Sequence, residues 1–229
     1  MKKKIIRFAS DLDFINLPQP AIKYIPEWYK KTEVHINKTP LKLQLQKTFK
    51  HCIPFMEAMT SGYIHEMWSD LEVERVANNP SFYWKSKGYE VIGSKTDGSS
   101  GMMDIPEGYD KKLYSFEHNL YIKTPPGYSV LITQPFNRTD LPFYALSGIV
   151  DTDVYPLFPG SYPIFLKSGY TGLVNRGTPM LQIIPFKRDE WASKIDKYLL
   201  KEGGITQRVA QSFAEFWYKK NAWIRKSYE

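Results

Sequence analysis

Lys123-Thr-Pro-Pro-Gly-Tyr-Ser-Val-Leu-Ile-Thr133, Gly148-Ile-Val-Asp-Thr-Asp153 and Arg176-Gly-Thr-Pro-Met-Leu-Gln-Ile-Ile-Pro-Phe-Lys-Arg188 set the class of this chain. Short apolar runs alternate there with Pro, Gly, Asn and Asp clusters, the pattern of strands joined by tight turns. Strands are expected over 119–124, 128–134, 162–167 and 180–187. Prolines at 125, 126, 135, 142, 156, 159, 163, 179 and 185 bound them or mark sheet edges. The expectation is a mainly β body.

On the N-terminal side, Ser69-Asp-Leu-Glu-Val-Glu-Arg-Val76 alternates polar and apolar residues. That predicts a half-buried strand with Leu71, Val73 and Arg75 on one face and Glu72 and Glu74 on the other. Residues 1–50 read as an N-terminal arm, with a short helix after Pro26 that packs Trp28 and Tyr29 inward. Residues 51–188 form the β domain. Within it, 78–118 is the least regular stretch and reads as an insertion with some short strands. Its aromatic run Phe82-Tyr-Trp84 is assigned to the core rather than to base stacking. From Asp189 the spacing turns helical. One helix runs to Gly203-Gly204, and a second from Thr206 to Lys226 has Val209, Phe213, Phe216, Trp217 and Trp223 on its apolar side. Residues 189–229 are therefore expected as a helical extension.

With 229 residues, 42% hydrophobic and 15% aromatic, the chain can bury a sizeable core, which argues against disorder apart from short segments. The net charge of +7 comes partly from Lys2-Lys3-Lys4 and Arg7 and from Lys219, Lys220, Arg225 and Lys226. It reads as a solvated surface, with nucleic-acid contact through the basic ends left open. The single cysteine, Cys52, excludes an internal disulfide and fits a reducing compartment. It is expected as a buried structural thiol, because a neighbour such as His51 on a strand would point to the other face. Histidines at 35, 51, 65 and 118 lack metal-ligand spacing. Gly98, Ser99 and Gly101 lack the lysine and the strand–helix context of a phosphate loop. Ile5-Ile6 is too short for a secretion signal, and no apolar run approaches membrane-spanning length.

Four blocks in order resemble the motifs of the dUTPase and dCTP-deaminase superfamily, the trimeric β-clip fold. Thr60-Ser-Gly-Tyr63 with Asp70-Leu-Glu-Val73 resembles the first motif. Pro125-Pro-Gly-Tyr-Ser-Val-Leu-Ile132 resembles the Pro-x-Gly-Tyr strand, with Asn137-Arg-Thr-Asp-Leu141 where the family has Arg-Ser-Ser-Leu. Gly148-Ile-Val-Asp-Thr-Asp153 and Asn175-Arg-Gly-Thr-Pro-Met-Leu-Gln-Ile-Ile184 resemble the next two. The resemblance covers about 60–188. The whole chain, with Ile25-Pro-Glu-Trp28 and Pro185-Phe-Lys-Arg-Asp-Glu-Trp191, is similar to a family of phage and bacterial proteins that carries no established activity.

The resemblance implies a β-clip barrel or sandwich, a homotrimer, virion partners, and a location in a virion or the host cytoplasm. It also implies a candidate site. Asp151 stands where the family has a general base and Asp153 supports it, with Mg²⁺ carrying the nucleotide phosphates. Arg138 and Thr139 stand for the phosphate-binding Arg-Ser, and Tyr155 for the aromatic residue on the sugar. Three departures count against catalysis. Asp140 replaces the second Ser and would repel a triphosphate, Val154 displaces Tyr155 by one position, and the glycine-rich closing arm is missing. The bland readings are strand-end capping by Asp151 and Asp153, a pair of Arg138 with Asp140, and a turn or subunit contact for Arg176. The resulting expectation is a non-catalytic assembly module with no cofactor. The alternative is a diverged Mg²⁺-dependent deoxynucleotide hydrolase or nucleotide-binding protein.

Overall fold

The computed structural model describes residues 3–37, 45–86, 88–94, 103–155, 157–204 and 217–229. In chain order, β1 (Arg7–Ala9) and β2 (Gln19–Pro20) lead to helix α1 (Glu27–Lys31), β3 (His35–Asn37), β4 (Leu45–Lys47) and helix α2 (Ile53–Thr60). Then come β5 (Tyr63–Glu66), β6 (Leu71–Val76), β7 (Asn79–Trp84), β8 (Ile92–Ser94), β9 (Tyr114–Glu117) and β10 (Tyr121–Lys123). The series closes with β11 (Tyr128–Thr133), β12 (Phe143–Ala145), β13 (Gly148–Val150), β14 (Ser161–Leu166), β15 (Gly172–Val174) and β16 (Pro179–Lys187). The protein is mainly β, as expected, and among the described residues every strand pairing is antiparallel.

Two compact units divide the chain: residues 1–24, 60–188 and 228–229 in one, and 25–59 and 189–227 in the other. The first unit is built around β16. That strand lies inside the sheet β13–β11–β16–β5–β2, and Pro179 to Gln182 and Ile183 are buried without a break. A strand covered on both faces reads as a continuous apolar run rather than an alternation, hence Met180-Leu-Gln-Ile-Ile184. Gln182 is the polar exception, and it is satisfied. Its Oε1 accepts from the Phe136 amide at 2.8 Å and its Nε2 donates to the Ser61 carbonyl at 2.7 Å. Gly62 lies against the same strand at φ +72°, where a Cβ would come within 2.2 Å of the Ile183 carbonyl oxygen. Only glycine fits there.

Strand β6 behaves as its alternation predicts. Leu71 and Val73 are buried and Glu74 is exposed. Arg75 reaches inward to an ion pair with Asp110 at 2.7 Å and donates to the Tyr170 carbonyl at 3.0 Å. Residues 78–118 differ from the insertion expected. They supply β7 to the sheet β15–β6–β7 and β8 and β9 to the sheet β12–β14–β9–β8. Phe116 on β9 is wholly buried, and Phe82 packs against the same core. Tyr83 points out and is exposed. Gly98, Ser99 and Gly101 lie outside the described residues. The first 24 residues belong to this unit rather than to a separate arm, because β1 pairs with β10 and β2 with β5.

In the second unit, β3 and β4 pair, Tyr29 stacks on Phe55 at 6.1 Å, and Glu57 accepts from Trp223 Nε1 at 3.1 Å and Lys226 Nζ at 2.8 Å. Tyr29 is buried as expected. Trp28 is instead exposed, since the five-residue helix α1 has one narrow inner face. Cys52 is also exposed. It ends a 3₁₀ turn over Phe49–His51 rather than lying on a strand. The helix expected from Asp189 is absent over 189–196, and helical backbone begins only at 199. Trp191 and Ile195, which should have formed its apolar face, are 90% and 94% exposed. A helix with nothing to bury its stripe against lacks the packing that stabilises short helices. Of the second expected helix, Trp217–Asn221 is formed, while 205–216 lie outside the described residues. Among the described residues, no helix is long and apolar enough to cross a membrane.

Two buried histidines cross-link the core of the first unit. His65 Nε2 contacts the His118 carbonyl at 2.8 Å, and His118 Nδ1 accepts from the Leu120 amide at 3.1 Å. Burial pushes His65 down to about 3 and His118 down to about 4, from an ordinary value of 6.5. Both are neutral in the folded protein at neutral pH. Their contribution is fully present above pH 6.5 and is lost as pH falls toward about 4. Denaturant unfolding should show stability level above pH 6.5 and falling between about pH 6 and 4 by up to roughly 1.4 kcal/mol per pH unit for each histidine. A flat profile would contradict the burial. At fixed pH, Leu71→Ala should cost about 2–5 kcal/mol and Glu74→Ala less than about 0.5 kcal/mol, which tests the register of β6.

Candidate functional site

The turn after β13 carries both candidate carboxylates. The amides of Val154 and Tyr155 donate to the Asp151 carbonyl at 3.0 and 2.9 Å, which closes the chain back on itself. Thr152 points inward, is wholly buried, and shares a hydroxyl–hydroxyl bond of 2.8 Å with Thr124. Thr124 in turn donates to the Tyr128 carbonyl at 2.7 Å. This buried pair fixes the turn against the Pro125-Pro-Gly127 corner that begins β11. Asp151 and Asp153, on either side of Thr152, project toward Arg188.

Arg188 follows the end of β16. In the β11–β16 register Ser129 lies opposite Phe186, so Arg188, two residues further on, shares the Ser129 face. Its Nη1 donates to Asp153 Oδ1 at 2.7 Å and Nη2 to Asp153 Oδ2 at 2.5 Å, a two-pronged ion pair. Nη1 also donates to Ser129 Oγ at 2.9 Å and lies 3.3 Å from Asp151 Oδ1. Ser129 Oγ donates to Asp151 Oδ1 at 2.5 Å. The Gly127 amide donates to Asp153 Oδ2 at 2.7 Å, from a φ of +82° that favours glycine. The Asp153 side chain is 5% exposed and that of Asp151 58%. The Arg188 hydrogen bonds hold the Asp153 carboxyl well below the usual carboxylate range, and Asp153 in turn raises Arg188 above its own.

Chemically this is a clasp. Asp153 accepts three hydrogen bonds and stays ionised, so it is no proton acceptor near neutral pH. Asp151 is the accessible carboxylate. The donor set does not suit Mg²⁺, because a guanidinium already bridges the two carboxylates where a hard cation would need their oxygens. Among the described residues, no group of three or more His, Cys, Asp or Glu side chains gathers as metal ligands.

The other candidates lie elsewhere in the bonding pattern. Arg138 forms a fork on Asp140, with Nε to Oδ1 and Nη2 to Oδ2 both at 2.8 Å, and its Nη1 donates to the Tyr24 carbonyl at 3.2 Å. Burial of Asp140 is outweighed by the hydrogen bonds and charge of Arg138, and its carboxyl lies below the ordinary value. Thr139 is exposed, and its carbonyl accepts from Lys167 Nζ at 2.6 Å. Tyr155 is 62% exposed and meets Phe158 edge-on at 5.5 Å. So Asp151 and Asp153 come together, while the side chains of Arg138, Thr139 and Tyr155 make no bond to either carboxylate. Arg176 serves a turn: its amide donates to Asp70 Oδ1 at 2.8 Å. Sequence reasoning missed Arg188 and Ser129. No protein-family model matches the chain, and no curated protein is significantly similar to it in sequence.

Arg188→Gln should lower the thermal midpoint more than Asp151→Asn does, because it leaves the nearly buried Asp153 without its cation. In the unaltered protein the same contribution is present above the ordinary carboxylate value of 3.8 and disappears as pH falls below it. Thermal unfolding of both variants at pH 7 checks the order, and a gap between them that narrows as pH is taken progressively below 3.8 checks its origin.

Proposed function

We propose that the chain is a non-catalytic β-clip protein that serves as an assembly module, self-associating as a homotrimer within a phage particle. The observation that carries this reading is the closed clasp. The residue in the supporting-carboxylate position is neutralised by Arg188, and the residue in the phosphate-binding position is neutralised by Asp140. A pyrophosphatase needs the reverse, a free cation for phosphate and a carboxylate poised over bound metal. Exposed Ile149, Val154, Tyr155 and Phe158, on edge strand β13 and the turn beyond it, offer apolar surface for association. The trimer and the particle follow from the resemblance of the four sequence blocks and of the whole chain.

The second reading, a diverged deoxynucleotide hydrolase, draws on the accessible carboxylate of Asp151. Incubation with each deoxynucleoside triphosphate and Mg²⁺ separates the two. The expected outcome is neither pyrophosphate nor deaminated product, together with a trimer mass by light scattering that Val154→Asp reduces. Turnover that disappears in Asp151→Asn would replace the assembly reading with the enzymatic one. A monomer without turnover would remove both.

A further inference from the structure

A cleft of about 430 Å³ opens in the first unit, lined by Phe14, Trp68, Ser69, Asp70, Lys85, Ser86 and Arg176. It shares no residue with the Arg188 clasp. Its volume is in the range of small-molecule sites. The wall is aromatic and fixed. Trp68 is buried, and its indole N–H donates to the Glu117 carbonyl at 2.7 Å. Phe14 packs on Trp68 at 5.8 Å and on Tyr89 at 5.6 Å, yet leaves 40% of its surface open. Tyr89 is itself held, since its carbonyl accepts from Trp84 Nε1 at 2.9 Å.

The charges are uneven. Arg176 Nη2 donates to the Phe14 carbonyl at 2.6 Å, which holds the ring in place. Its Nε and Nη1 have no partner among the described residues, and neither does the Lys85 ammonium. Asp70 is the one acidic residue among the described lining residues, and its Oδ1 already accepts the Arg176 amide. The hydroxyls of Ser69 and Ser86 complete the polar side. Unused cationic donors beside an open ring face match one chemistry, a planar apolar group that carries an anion.

We propose that this cleft binds a small aromatic anion, with the ring against the open face of Phe14, which Trp68 backs, and a phosphate or carboxylate on Lys85 and the unused donors of Arg176. Nothing in this depends on whether the clasp is catalytic or structural.

Isothermal titration of the full chain with 1-naphthyl phosphate, 1-naphthoate, 1-naphthol and inorganic phosphate tests it. At least one naphthyl anion should bind more tightly than both 1-naphthol and inorganic phosphate. Preference between the two anions identifies a phosphate ester or a carboxylate as the natural head group. Lys85→Gln should weaken that binding about tenfold, the scale of one charge-assisted hydrogen bond. Phe14→Ala should reduce the advantage over inorganic phosphate. Lys85 is exposed and makes no bond among the described residues, so its variant should keep the wild-type thermal midpoint, and lost affinity then reports the site rather than unfolding. The proposal is overturned if neither anion binds, if inorganic phosphate binds as well as they do, or if Lys85→Gln leaves the affinity unchanged.

Discussion

Strand β16 is hydrogen-bonded along both edges, to β11 on one side and β5 on the other, and the amide of Gln182 sits buried between them. Both ends of that amide are bonded, to Phe136 and to Ser61. A buried amide left unsatisfied would cost as much as a lost core side chain. The side chain therefore fixes the loop after β11 and the Ser61-Gly62 corner before β5 to the same point. Gly62 adds a steric condition, since its approach to Ile183 admits no Cβ. The five-stranded sheet, the turn after β13 and the clasp at Arg188 all depend on this register.

The parts of the fold legible in sequence are those whose signal is local. The alternation of Leu71 and Val73 with Glu72 and Glu74 fixed a face and was right. The runs at 128–134, 162–167 and 180–187 correspond to β11, β14 and β16 within a residue or two at their ends. Residues 78–118 were harder because β8 and β9 are only three and four residues long, and β9 pairs with β14, more than forty positions away. Short strands owe their formation to partners that periodicity does not reveal. The segment from Asp189 shows the converse. Its helical spacing is plain, but spacing states only which side would be buried, and Trp191 and Ile195 are exposed.

The candidate site divides the same way. Arg138 and Asp140 are two residues apart, so their fork could be anticipated from the sequence. Asp151 and Asp153 flank one inward-facing residue, and their shared side follows from that spacing. Arg188 lies 35 positions beyond Asp153, and the two meet only because β16 returns antiparallel beside β11. Its one advance signal was its place just past the closing strand. That single cation changes the meaning of the pair, from a metal-ready acidic site to a neutralised joint.

Arg188 is also the residue at which the chain leaves the first unit. A pull on the segment that follows is met first by its two-pronged bond to Asp153 and by its backbone amide on the Gly127 carbonyl. Behind these lies the nine-residue strand β16, paired with β11 from Gln182 to Lys187 and with β5 from Pro179 to Ile183. A load arriving from residue 189 would thus meet the Arg188 clasp before it reached the β16 ladder.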